Sequence, residues 1–253
     1  MENGTKRFEI LRIIPNLVTI FALSMGLLAM RLAIFDNFRG AALCVIVSCL
    51  FDKFDGNIAR KLNVSSSFGA QMDSLADFFD FGIVPGFIVY LWVLKDGGFT
   101  VTMAWLAVLL LATCMAIRLA RFNVSLIEND SEGPRNKYFF KGIPAPMAAS
   151  LVLLPLVLSF EYQSLNINSK FVVANTVLVA ILAGSTVPTP CFKKIKFGPV
   201  MNCISTLAMW IFLAGLVLRT WLTAIFVCFL YIITIFASWV FYYRFSKYPQ
   251  RYS

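Results

Sequence analysis

The chain has 253 residues, 59% of them hydrophobic and only 14% charged, with a mean hydropathy of +0.79. This composition excludes an ordinary soluble domain, because apolar stretches of about 20 residues, long enough for a helix to cross a bilayer, recur along its length. The formal net charge is +9 and there is no histidine, which excludes Ser-His-Asp triads, Cys-His pairs and His-ligated zinc.

The predicted architecture is all-α: a polytopic transmembrane helix bundle of about eight spans, forming one integral membrane domain over residues 1–253. The first twelve residues carry Glu2, Lys6, Arg7, Glu9 and Arg12. The apolar stretch after Pro15 is too long for a signal-peptide core, so no cleavable leader is expected. The spans are placed at 15–34, 39–62, 67–94, 99–122, 143–160, 171–188, 199–218 and 221–242. The second, third and fourth are longer than a bilayer requires and are expected to project beyond it. The longest polar stretch, 123–141, joins spans four and five. Cys44, Cys49, Cys114, Cys191, Cys203 and Cys228 show no C-x-x-C spacing and are read as reduced packing residues.

Charge sets the expected orientation. With both termini cytoplasmic, seventeen of the 22 basic residues lie on the inner side. Only Arg31, Arg39, Lys95, Lys170 and Arg219 lie outside. Cytoplasmic loops are enriched in Lys and Arg, so the basic balance is read as a topology signal and not as a nucleic-acid surface. Lys193, Lys194 and Lys196 belong to that signal. The orientation places residues 52–77 at the cytoplasmic face.

The acidic residues are concentrated. Of 13 in all, Asp52, Asp55, Asp73, Asp77 and Asp80 fall within 29 residues of apolar sequence. Carboxylates near a membrane core are costly unless paired or bound to a cation, and five together repel one another. A divalent cation answers both problems. At helical spacing Asp52, Asp55 and Ala59 share one face, with Gly56 beside them. Gly69, Asp73 and Asp77 run down one face of the next helix. A turn at 63–67 makes the two helices antiparallel, so that both carboxylate pairs can face one cleft. Four carboxylates without histidine suit Mg²⁺ or Mn²⁺. Their number suits two ions about 3.5–4 Å apart, an arrangement that clamps phosphate. Gly56 and Ala59 either let a bulky ligand reach the helix backbone or serve close helix packing.

The pattern Asp52-x2-Asp55-Gly56-x2-Ala59-Arg60-x8-Gly69-x3-Asp73-x3-Asp77 resembles in full the signature of the CDP-alcohol phosphatidyltransferase family: eight fixed positions across 26 residues. Four further segments, Pro15–Thr19, Phe68–Asp77, Arg118–Asn123 and Phe140–Pro146, resemble the bacterial-type branch of that family whose acceptor is L-serine, the phosphatidylserine synthases. The resemblance runs through about Lys196, and the last two spans are generic. At Asp80 the chain departs from the branch, where a neutral polar residue is usual.

The resemblance implies roles. Asp52, Asp55, Asp73 and Asp77 would ligate metal, and Asp77 would also act as general base. Asp55, Gly56, Ala59, Arg60 and Gly69 would form the nucleotide side. The implied substrates are CDP-diacylglycerol and L-serine, in a homodimer among the lipids of a bacterial inner membrane, with the active site facing the cytoplasm.

Four basic residues are candidates for the acceptor or the lipid phosphate. Arg118 and Arg121 lie one turn apart near the cytoplasmic end of span four, where a guanidinium fork suits phosphate or carboxylate. Lys137 and Lys141 could contact phosphate or simply face anionic lipid. Asp80 could receive the serine ammonium or serve structure. Two alternatives stay open at this point: the same chemistry with glycerol 3-phosphate or an inositol derivative as acceptor, and a cation-coupled transporter, in which intramembrane carboxylates mark an ion path.

Overall fold

The computed structural model describes the backbone of residues 2–62, 66–95, 97–127, 139–162, 164–185, 188–190, 212 and 214–247, and the side chains of 14–54, 66–95, 97–125, 142–162, 164–185, 212 and 214–237. The chain begins as two long antiparallel helices, α1 (Glu2–Ile34) and α2 (Phe38–Leu62). In the turn between them Asp36 adopts a φ of 61°, a left-handed conformation that Asp tolerates better than most residues. Small side chains let the two helices approach: Ala22, Ala29 and Ala33 of α1 and Ala41 and Ala42 of α2 are buried.

The predicted third span is one continuous helical run with three parts. α3 (Ser67–Asp77) is followed by a π-helical segment (Phe78–Ile83) and then by α4 (Val84–Leu94). Ser66 caps the run, its Oγ accepting from Gly69 N at 3.0 Å, which satisfies one of the free N–H groups of the first turn. A π segment is a local widening frequent at functional positions, and here it begins immediately after Asp77. It turns Asp80, Phe81 and Gly82 into the protein interior.

The rest of the bundle closes around this run. α5 (Phe99–Ile127), α6 (Ala145–Glu161), α7 (Ser169–Gly184) and α8 (Thr220–Lys247) follow. α5 comes close because two glycines face it: a Cβ on Gly82 would lie 3.2 Å from Met115, and one on Gly86 would lie 3.0 Å from Val108. Val84, Ile88, Val152 and Leu156 of α4 and α6 form the centre of the core.

The two ends of the bundle are tied differently. At one end Phe139–Lys141 pairs antiparallel with Pro188–Pro190, with Phe140 opposite Thr189. Gly142 follows with a φ of 82°, and a Cβ there would meet the carbonyl oxygens of Ala183 and Ser185 at 2.9 Å. The glycine of the Phe140–Pro146 segment is therefore explained by packing against the end of α7. At the other end Lys95 Nζ pairs with Asp36 Oδ1 at 2.9 Å, and Arg219 Nη1 lies 3.9 Å from Glu161 Oε1. Arg39 Nη2 donates to the Phe160 carbonyl at 3.2 Å. Lys95, Arg219 and Arg39 thus share the end opposite the ladder, the grouping that the charge pattern anticipates.

The all-α expectation holds apart from that three-residue ladder. The count of spans is only partly matched. Among the described residues four helices are long and apolar enough to cross a membrane: Ile14–Ile34, Ser67–Leu94, Phe99–Ser125 and Thr220–Ala237. At 17 and 16 residues, α6 and α7 are shorter than the roughly 20 of a full span. The 25-residue α2 is long enough, but it carries Asp52, Lys53 and Asp55 in its second half. Of the predicted span at 199–218, only residues 212 and 214–218 are described, and these are helical. The described cysteines, Cys44, Cys49, Cys114 and Cys228, are free thiols, as expected, and Cys191 and Cys203 lie outside.

Candidate active site

α2 and α3 carry the aspartates that come together. Asp52 then faces Asp73 and Asp77. One carboxylate oxygen from each lies within 4.8 Å of the others, and all three residues are half-buried. The side chains of Asp52 and Asp77 are within hydrogen-bonding reach of each other. Three carboxylates this close, in partly desolvated surroundings, repel one another, and a bound cation would relieve that repulsion. An all-oxygen donor set without histidine fits Mg²⁺ or Mn²⁺. Asp55 lies one turn further along α2, and its side chain is outside the described residues, as are those of Gly56, Ala59 and Arg60.

Neighbouring residues fix the cluster. Gly69 sits against α1, where a Cβ would come 3.1 Å from Asn16 Oδ1. Ser74 Oγ, next to Asp73, donates to Asn123 Oδ1 of α5 at 3.0 Å. Asn16, Gly69, Ser74 and Asn123 all belong to the segments that carried the resemblance, and each locks α3 to a neighbour.

Beyond Asp77, the π segment points Asp80 between α1 and α2. Asp80 is only 2% exposed. Ser48 Oγ donates to one of its oxygens at 2.5 Å, and the other oxygen is buried without a hydrogen-bond partner among the described residues. Gly26 of α1 makes room for it, since a Cβ there would collide with the carboxylate. Closed in on these sides, Asp80 links the π segment to α1 and α2.

The two arginines of α5 divide. Arg121 is exposed and its Nη1 donates to the carbonyl of Gly184 at 2.8 Å, capping the C-terminal end of α7, where a cation is favoured. Arg118 turns inward. It lies within electrostatic reach of Asp77 and of Tyr231 on α8, and its Nε and Nη1 are buried without a hydrogen-bond partner among the described residues. Lys137 lies outside the described residues, and Lys141 stands on the ladder with its side chain outside them.

Ser48, Gly26 and Tyr231 were not anticipated. Ser48 had a signal, being a polar residue one turn before Asp52 on the same face of an apolar helix. Gly26 and Tyr231 had none, because nothing local distinguishes them from neighbours in uniformly apolar runs.

A family model described as CDP-alcohol phosphatidyltransferase matches residues 12–187. The chain belongs to the CDP-alcohol phosphatidyltransferase family. The match spans α1 to the ladder and stops before α8, so Tyr231 lies outside it. Relatives agree along most of their length. The chain is 37% identical over 188 residues to the CDP-diacylglycerol–serine O-phosphatidyltransferase of Helicobacter pylori (strain ATCC 700392 / 26695), covering 74% of this chain and 76% of the relative. It is 29% identical over 219 residues to the Mycobacterium leprae protein of that name, covering 86% and 71%. It is 32% identical over 181 residues to the Bacillus subtilis one, covering 72% and 92%. In this family setting the three-aspartate cluster is the place to look for phosphoryl chemistry.

Proposed function

We infer that this protein is a CDP-diacylglycerol–serine O-phosphatidyltransferase, moving a phosphatidyl group from CDP-diacylglycerol to the hydroxyl of L-serine and giving phosphatidylserine and CMP. The observation that carries this reading is the meeting of Asp52, Asp73 and Asp77 within the family signature. The names of the relatives in Helicobacter pylori, Mycobacterium leprae and Bacillus subtilis support serine as the acceptor. They disfavour glycerol 3-phosphate and inositol, and family membership disfavours a transporter.

Asp52, Asp55, Asp73 and Asp77 would hold the divalent metal, Mg²⁺ or Mn²⁺, as two ions. When bound, these ions neutralise the diphosphate and stabilise charge on the departing CMP. Asp77 takes the proton of the serine hydroxyl, which is too weak a nucleophile without a positioned base. The serine oxygen bonds to the phosphorus that carries diacylglycerol. The bond from that phosphorus to the oxygen shared with CMP breaks, and its electron pair leaves with CMP. Asp55, Gly56, Ala59, Arg60 and Gly69 form the nucleotide side. Of the basic residues, we assign Arg118 to substrate, Lys137 and Lys141 to the lipid phosphate, and Arg121 to holding α7.

The lipid tails have a place. An apolar groove between α2, α6 and α8 runs past Val45, Cys49, Met147, Leu153 and Val227 to Lys53, beside Asp52. An acyl chain lying there keeps its head group at the aspartates. The full bundle crosses the membrane eight times as a homodimer in a bacterial inner membrane, with the aspartates on the cytoplasmic side. This reading is supported by Arg118, Arg121 and Lys141 towards the ladder end and the grouping of Arg39, Lys95 and Arg219 at the opposite end.

The test is CMP release from CDP-diacylglycerol by the purified protein with Mn²⁺ or Mg²⁺, offering L-serine, glycerol 3-phosphate and inositol separately. Release with serine alone is expected. Release with another acceptor only would contradict the acceptor and leave the family chemistry standing.

A further inference from the structure

We propose that Arg118, backed by Tyr231 of α8, is the receptor for the carboxylate of the acceptor amino acid, and so the residue that selects a carboxylate-bearing alcohol. The inference rests on the serine-transfer reading and adds a specificity determinant to it.

A guanidinium buried inside a helix bundle without hydrogen bonds is expensive. Arg118 carries two such nitrogens, Nε and Nη1. Its neighbour Arg121 shows the ordinary alternative, a bond to a helix-end carbonyl. Nothing comparable satisfies those two nitrogens of Arg118 among the described residues, so they are free for an anion that comes and goes. A planar oxyanion bound by two parallel N–H groups is what a guanidinium holds best.

Position decides which anion. Arg118 lies within electrostatic reach of Asp77, the base. In a β-hydroxy amino acid the hydroxyl oxygen is three bonds from the carboxyl carbon. A receptor for that carboxylate must therefore stand beside the base that takes the hydroxyl proton. The diphosphate of the donor would have its counter-charge in the metal that Asp52, Asp73 and Asp77 would hold. Tyr231 adds a phenol near Arg118, with its hydroxyl buried. It comes from α8, so the last helix closes the acceptor side of the site even though it lies outside the family match.

The test compares L-serine with L-serinamide, which keeps the hydroxyl and the amine but replaces the carboxylate with a neutral amide. CMP release by the full-length protein is followed with each acceptor, for wild type, Arg118→Gln and Arg118→Lys. Wild type is expected to prefer serine by about 100-fold or more in kcat/KM, in line with the loss of a charge-assisted pair. Arg118→Gln is expected to shrink that preference to below about tenfold, through a raised KM for serine and an unchanged KM for CDP-diacylglycerol. Arg118→Lys, which keeps the charge and loses the fork, falls between.

An unchanged serine-to-serinamide ratio in Arg118→Gln, with only kcat reduced, would overturn the proposal and leave Arg118 as a partner of Asp77 alone. A raised KM for CDP-diacylglycerol instead would assign Arg118 to the donor phosphates and also overturn it. The wild-type comparison decides even if the variants fail to fold: serinamide accepted as well as serine would mean that no carboxylate receptor operates. Absence of CMP release from wild type with serine would overturn the transfer reading itself, a result distinct from all of these.

Discussion

Ser48 donates a 2.5 Å hydrogen bond to the carboxylate of Asp80, joining α2 to the π-helical segment that follows Asp77. The bond crosses between the two helical runs that carry the clustered aspartates, four residues before Asp52 on one side and three residues after Asp77 on the other. It therefore acts as a strut that sets the distance across the cluster.

Removing the strut has a defined cost. Ser48→Ala leaves a buried carboxylate without its donor and is expected to lower stability by about 1.5–3 kcal/mol, the range for hydrogen bonds to charged groups. Thermal denaturation in detergent reads this out. Asp80→Asn in the Ser48→Ala background should recover part of the loss, because the group left behind is neutral. Asp80→Asn alone should leave KM for serine within about twofold of wild type, since Asp80 is closed away from the acceptor. A large rise in that KM would make Asp80 a substrate contact.

Gly26 is the other side of the same device. Gly26→Ala drives a methyl group into the Asp80 carboxylate and should destabilise by about 1–3 kcal/mol, as overpacking does. Asp80→Ala vacates that space. The double variant should then be more stable than the sum of the two single effects by about 1 kcal/mol or more. Additive losses in the same denaturation experiment would show that the two residues do not press on each other.

The cluster can be tested through metal alone. Asp52→Asn and Asp73→Asn each remove one anionic oxygen from a group that lies within 4.8 Å. Mn²⁺ affinity, measured by calorimetry or electron paramagnetic resonance without substrate, should fall by on the order of 10–100-fold in each. Equal affinity in wild type and both variants would place the metal elsewhere.

Arg121 and Arg118 should separate cleanly. Arg121→Ala loses a cap on the C-terminal end of α7. It should cost about 0.5 kcal/mol of stability at an exposed helix end, with KM for both substrates within about twofold of wild type. A selective rise in KM for either substrate would give Arg121 a binding role.

Much of this site is legible in the sequence because its residues obey helical spacing. Asp52, Asp73 and Asp77 lie where a period of 3.6 residues and one short turn put them, and Ser66, just inside that turn, proves to be the cap that starts α3. The π segment is not legible, since Gly82 is the only weak helix former in Phe78–Ile83 and a single glycine in an apolar helix does not announce a widened turn. Gly26 and Tyr231 belong to the site through packing between helices far apart in the chain. Tertiary contacts of that kind leave no periodic trace in a uniformly apolar helix. The helices α6 and α7 read as spans because they are almost wholly apolar, although at 17 and 16 residues they are shorter than the roughly 20 of a full span.

The central claim is metal-assisted transfer to serine at the three-aspartate cluster. Its most direct test is the incorporation of labelled L-serine into extractable lipid by the purified protein supplied with CDP-diacylglycerol and Mn²⁺. The account predicts labelled phosphatidylserine with matching CMP release, abolished by chelation, restored by added metal and reduced by about 100-fold or more in Asp77→Asn. Label entering lipid equally well in Asp77→Asn, or in the chelated wild type, would contradict it.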